Sequence, residues 1–130
     1  MIKIPIATEK RKLLIFEDED SMQTVLAEAL ISEKFQLEFV SKEAIGKTDV
    51  SDPELILLDH SSAPLSHVEN YCEKIKAIFP GAPLIVLSAY PLTNFCNYTN
   101  HMDVFIAKPF DLNHLLTSVD SCLICRRVGV

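Results

Sequence analysis

Four short runs of large apolar residues punctuate the chain, at residues 13–16, 55–58, 84–87 and 104–107. Each is too short for an ordinary helix and is bounded by charged residues, serine or proline, which fits strands buried on both faces. Residues 35–39 (Phe-Gln-Leu-Glu-Phe) instead alternate apolar and polar, the pattern of a strand with one wet face near a sheet edge. Between these runs the apolar period changes to three and four. Met22, Val25, Leu26, Ala29 and Leu30 predict an amphipathic helix, with Asp20 as its N-cap and Gln23 as a capping-box partner. Val68, Tyr71, Cys72, Ile75, Ile78 and Phe79 predict another, ended by Pro80-Gly81. Asp111 caps a third, with Leu112, Leu115, Leu116, Val119, Cys122 and Leu123 facing inward. A short helix is expected at residues 42–47 despite Gly46. Residues 92–100 are weakly helical, and their low propensity marks a candidate mobile helix. Five strands thus alternate with five helices, strand first, which predicts an α/β fold: a parallel sheet covered by helices on both sides.

At 130 residues the chain has the length of one ordinary domain. We expect a single domain over 1–130, with no output domain after Val130. With 48% apolar and 23% charged residues, and no apolar run near the roughly 20 residues that span a bilayer, the composition points to a soluble, cytoplasmic protein. Residues 1–10 carry no signal-peptide pattern. The net charge of −6 disfavours direct nucleic-acid binding. Cys72, Cys96, Cys122 and Cys125 read as thiols, and the Cys122-x-x-Cys125 spacing as two small side chains on one helix face.

Candidate chemistry lies where the buried runs end. The first ends in Glu17-Asp18, the third strand in Asp59, the fourth in Ser88 and the fifth in Lys108. Parallel strands present their carboxyl ends on one sheet edge, so these five residues are expected to share a crevice there. Three crowded carboxylates raise one another's pKa unless a cation compensates, which points to a hard divalent ion. Mg²⁺ suits such a site, since it takes one or two carboxylates, keeps waters and shares a phosphate oxygen. Lys108 and the Ser88 hydroxyl supply the charge and donor a phosphoryl group needs.

On these residues the chain resembles the receiver domain of two-component response regulators, the CheY-like superfamily, over nearly its whole length. The motifs are Glu17-Asp18, Asp59, Ser88-Ala89 and Lys108-Pro109-Phe110, each after its apolar run. The resemblance implies a flavodoxin-like (βα)5 three-layer sandwich, with a parallel five-stranded sheet of order 2-1-3-4-5. It implies that Asp59 is the phosphoacceptor for a sensor histidine kinase or phosphotransfer protein. It makes Asp18 a direct Mg²⁺ ligand, Glu17 a ligand through water, and the backbone carbonyl of Ser61 a further one. Ser88 and Lys108 would contact phosphoryl oxygens, and Phe105 would be the switch aromatic. That aromatic couples the site to the face of the fourth helix, fifth strand and fifth helix, read by a downstream protein. Such a chain is a phosphoprotein of signal transduction rather than an enzyme.

Two departures from the family pattern stand out. Pro64 comes five residues after Asp59, where the family usually has a proline at four, and no glycine follows before Gly81. The remodelled 60–64 loop predicts weakened Mg²⁺ binding, or use of the His60 or Ser62 carbonyl. Tyr90, two after Ser88, is bulky and predicts slow self-dephosphorylation. The alternative reading is a receiver-like interaction module that works without phosphorylation. An aspartyl phosphatase would need a second carboxylate two residues past Asp59, and Ser61 stands there. His60, His67, His101 and His114 lack metal-site spacing and read as ordinary surface or packed residues.

Overall fold

The computed structural model describes residues 11–30, 35–47, 52–60, 65–89 and 102–127. Strands β1 (Arg11–Phe16), β2 (Phe35–Val40), β3 (Leu55–His60), β4 (Leu84–Ser88) and β5 (Val104–Ala107) form one parallel sheet in the order β2-β1-β3-β4-β5. Helices α1 (Asp20–Leu30), α2 (Leu65–Ile78) and α3 (Leu112–Arg127) cover it, and a 3₁₀ turn (Lys42–Lys47) follows β2. The expected strand order is therefore present.

Strand alternation divides the core in two. Leu13, Ile15, Leu55, Leu57, Ile85, Leu87 and Ile106 pack with Leu26 and Leu30 of α1 and Leu115, Val119 and Leu123 of α3. Leu14, Phe16, Ile56, Leu58, Leu84 and Val86 pack on the other face with Val68, Cys72 and Ile75 of α2. Neighbours in one strand thus serve opposite layers. That double burial is why β1, β3 and β4 read as unbroken apolar runs, while edge strand β2 leaves Gln36 and Glu38 exposed.

Helix periodicity overstated three positions. Val25, Ile78 and Leu112 are 43%, 42% and 46% exposed. Val25 lies at the flank of the stripe set by Met22, Leu26, Ala29 and Leu30, while Ile78 ends α2 and Leu112 begins α3, short of the packed turns. The cap of α1 also differs from expectation. Asp20 is already helical, the Glu19 carbonyl accepts the Gln23 N–H at 2.9 Å, and the Gln23 side chain reaches the Glu17 carbonyl at 2.8 Å. Asp111 caps α3 as expected: its Oδ1 accepts the Asn113 N–H at 2.8 Å. The weak helix expected at 92–100 lies outside the described residues.

Hydrogen bonds carry the ladder one residue past β1 and β5. The Glu17 N–H donates to the Val40 carbonyl at 3.1 Å, and the Lys108 N–H to the Ser88 carbonyl at 2.7 Å. Both residues are thereby fixed at the carboxyl edge of the sheet. Among the described residues, no helix is long and apolar enough to cross a membrane.

Candidate functional site

Asp59 is the penultimate residue of β3, fully buried. It follows Leu55 and Leu57 on the α1/α3 side of the sheet, as Glu17 follows Leu13 and Ile15, and Lys108 follows Val104 and Ile106. The Lys108 ammonium, itself largely covered, forms an ion pair with Asp59 Oδ1. Apart from that pair, neither Asp59 oxygen has a hydrogen-bond partner, and neither does Glu17 Oε2. Buried oxygens are seldom left so.

Glu17 is 2% exposed, and only its Oε1 is satisfied, accepting the Glu19 N–H at 2.9 Å. Burial pushes its pKa up from 4.5 to about 7, reinforced by the neighbouring Asp59 carboxyl. The Glu19 N–H and the Lys42 ammonium pull the other way. At neutral pH the two acids therefore face each other across a site that readily takes up a cation or a proton.

Lys42, at the start of the 3₁₀ turn, is a component that sequence patterning missed. Its ammonium donates to the Asp59 backbone carbonyl at 2.6 Å and lies 3.8 Å from Asp18 Oδ2, while its own N–H donates to Asp18 Oδ1 at 3.1 Å. The exposed Asp18 carboxylate is thus turned toward Lys42.

On the opposite face Ser88 and His60 are register partners across β3 and β4, both buried, with His60 Nδ1 3.2 Å from Ser88 Oγ. Phe105, half-buried on β5, packs against the α2-side cluster.

The three unsatisfied oxygens of Glu17 and Asp59 are a donor set that fits a hard cation such as Mg²⁺, which needs only one or two carboxylates. Among the described residues no three acid, histidine or cysteine side chains form a ready-made cage. Asp18 would complete one only by turning from Lys42.

Solved structures with a similar fold include receiver domains. A CheY-like response regulator receiver domain from Methanospirillum hungatei superposes with a TM-score of 0.77 at 21% identity, covering 94% of this chain and all (100%) of that one. The signal receiver domain of a Luxo repressor protein from Vibrio parahaemolyticus gives 0.77 at 22%, covering 92% and 95%. The response regulator TrrA from Thermotoga maritima, crystallised with Mg²⁺ and BeF, gives 0.73 at 23%, covering 87% and 99%. The chain has the receiver-domain fold. No protein-family model matches the sequence. Among curated proteins, 69 residues are 39% identical to the BRCA1-A complex subunit Abraxas 1 of Salmo salar. That match takes in 47% of this chain and only 17% of that protein.

Within this receiver fold, Glu17, Asp59 and Lys108 lie close together at the carboxyl edge of the sheet. Asp18 is adjacent but turned to Lys42, while Ser88 and Phe105 lie on the sheet's α2 side. Ser61, Ser62 and Tyr90 fall outside the described residues. Cys72 is a buried thiol whose pKa is pushed up to about 12 by burial, then by the charges of Glu69 and Glu73; with half-buried Cys122 it remains unbridged.

Proposed function

We propose that this chain is a cytoplasmic phosphoacceptor receiver: Asp59 takes a phosphoryl group from the phosphohistidine of a sensor histidine kinase or phosphotransfer protein. The reading is carried by Asp59 itself, a fully buried carboxylate at a central strand end, paired with Lys108 yet otherwise lacking hydrogen-bond partners. A carboxylate with a purely structural task has its oxygens satisfied by N–H or O–H donors.

In the transfer an Asp59 oxygen attacks phosphorus, the P–N bond to the donor imidazole breaks, and its electron pair stays on the donor nitrogen. The product is an acyl phosphate on Asp59. Lys108 would pair with one phosphoryl oxygen and the Ser88 hydroxyl with another. Glu17, Asp18, Asp59 and the Ser61 backbone carbonyl would hold Mg²⁺, which supplies the charge compensation between acids and phosphoryl group. Lys108, paired with Asp59, orients its carboxylate before transfer, and burial excludes water from it. Movement of Ser88, accompanied by Phe105, would alter the face that a downstream protein reads. The chain is then consumed and regenerated as a signalling substrate and does not act as a turnover enzyme.

The test is incubation with Mg²⁺ and a small phosphoryl donor, read by intact mass. Native protein should gain one phosphoryl group and Asp59→Asn none; identical behaviour of the two rejects the reading. One observation favours the alternative, a phosphorylation-independent interaction module: Lys42 already engages both the Asp18 carboxylate and the Asp59 carbonyl. An unchanged native mass, with the fold intact, would select it.

A further inference from the structure

One residue past Asp59, on the other face of the sheet, lies a buried polar pair in an otherwise apolar layer. His60 is 1% exposed and Ser88 fully buried, and they follow Ile56, Leu58, Leu84 and Val86. Both backbones are tied down: the Ala89 N–H donates to the His60 carbonyl at 3.3 Å, and the Lys108 N–H to the Ser88 carbonyl at 2.7 Å. The Ser88 hydroxyl can then relocate chiefly by rotation about one side-chain torsion, among three staggered positions. In the position observed, Oγ meets His60 Nδ1 at 3.2 Å. An imidazole in such a layer is costly unless it is hydrogen-bonded, so the pair is mutually supporting.

We propose that His60 is a positioning residue that latches the Ser88 hydroxyl on the α2 side of the sheet, away from Asp59. The inference rests on the phosphoacceptor reading, because the latch matters when a phosphoryl group on Asp59 competes for the same hydroxyl. In this latch the Ser88 hydroxyl donates to Nδ1, and the bond it would make to an anionic phosphoryl oxygen is the stronger one, so the loaded state still wins. Exchange of partners raises the threshold for switching by about fivefold, the equilibrium equivalent of one net hydrogen bond.

The experiment uses the full chain with Mg²⁺ and beryllium fluoride at constant pH, followed by amide and imidazole ¹⁵N NMR. In native protein the His60 Nδ1 resonance should move as the site saturates. His60→Leu should lower the half-saturating beryllium, titrated in excess fluoride, about fivefold, whereas His60→Asn, whose amide occupies the place of Nδ1, should stay near native. In a Ser88→Ala background His60→Leu should change nothing. An unmoved Nδ1 resonance at saturation overturns the latch, as does an unchanged or raised half-saturation in folded His60→Leu. An effect of His60→Leu that persists without the Ser88 hydroxyl overturns it too. Should His60→Leu fail to fold, the native Nδ1 resonance and His60→Asn decide. Failure of native protein to take up either beryllium fluoride or a phosphoryl group removes the phosphoacceptor reading and the latch together; saturation with Nδ1 unmoved removes the latch alone.

Discussion

Replacing Glu17 by Gln removes one acid from the site while keeping its shape, including the oxygen that accepts the Glu19 N–H. The substitution imitates the protonated form, which burial and the Asp59 carboxyl favour in the folded chain. The distance from 4.5 to about 7, at about 1.4 kcal/mol per pH unit, corresponds to about 3 kcal/mol. Because the folded pKa is raised, the folded state holds a proton that the unfolded chain has released between these values. The contribution is complete below pH 4.5 and lost as pH rises through about 7. Against a typical folding stability of about 5–15 kcal/mol, such a loss is large. Urea unfolding with a chelator present, followed by far-UV circular dichroism because the chain lacks tryptophan, measures it. Glu17→Gln should match native protein near pH 4 and exceed it by about 3 kcal/mol at pH 8. Parallel pH profiles for the two proteins would refute the placement of this carboxyl against Asp59.

Lys108→Met leaves the Asp59 carboxylate buried without its ion pair and should cost about 3–5 kcal/mol; Asp59→Asn in the same chain should restore most of it, which a double-mutant cycle in urea reads directly. Lys42→Met deletes a charge-assisted bond to the Asp59 carbonyl and should cost about 1.5–3 kcal/mol, while Asp18→Asn, on an exposed carboxylate 3.8 Å from the ammonium, should cost under about 1 kcal/mol. Equal losses from those two substitutions would show that Lys42 acts through Asp18. Leu57→Ala, in the layer under α1 and α3, should cost about 2–5 kcal/mol, whereas exposed Val25→Ala should stay within about 0.5 kcal/mol by the same measurement.

The strands were readable because parallel strands buried on both faces leave uninterrupted apolar runs, and the chemistry was readable because each run stops at a polar residue. Asp59, Glu17 and Lys108 carried that signal directly. Lys42 did not: it stands in a polar turn and reaches a backbone carbonyl 17 residues away, and a backbone carbonyl leaves no mark on residue type. His60 left a partial mark, as a polar residue extending a buried run, but its partner became visible only with the β3–β4 register. Val25 and Leu112 were misplaced because periodicity reports which way a helix face points and not how far the underlying sheet extends.

The division of the sheet into two chemically unlike sides also secures its register. A one-residue slip of β3 would turn Asp59 into the apolar layer under α2 and set an imidazole against Lys108. Leu57 and Leu58 could trade places at modest expense, since both layers are aliphatic; Asp59 and His60 could not. The residues at the strand's end thus serve as a key that admits one alignment of the chain, so part of what specifies the fold is the site itself.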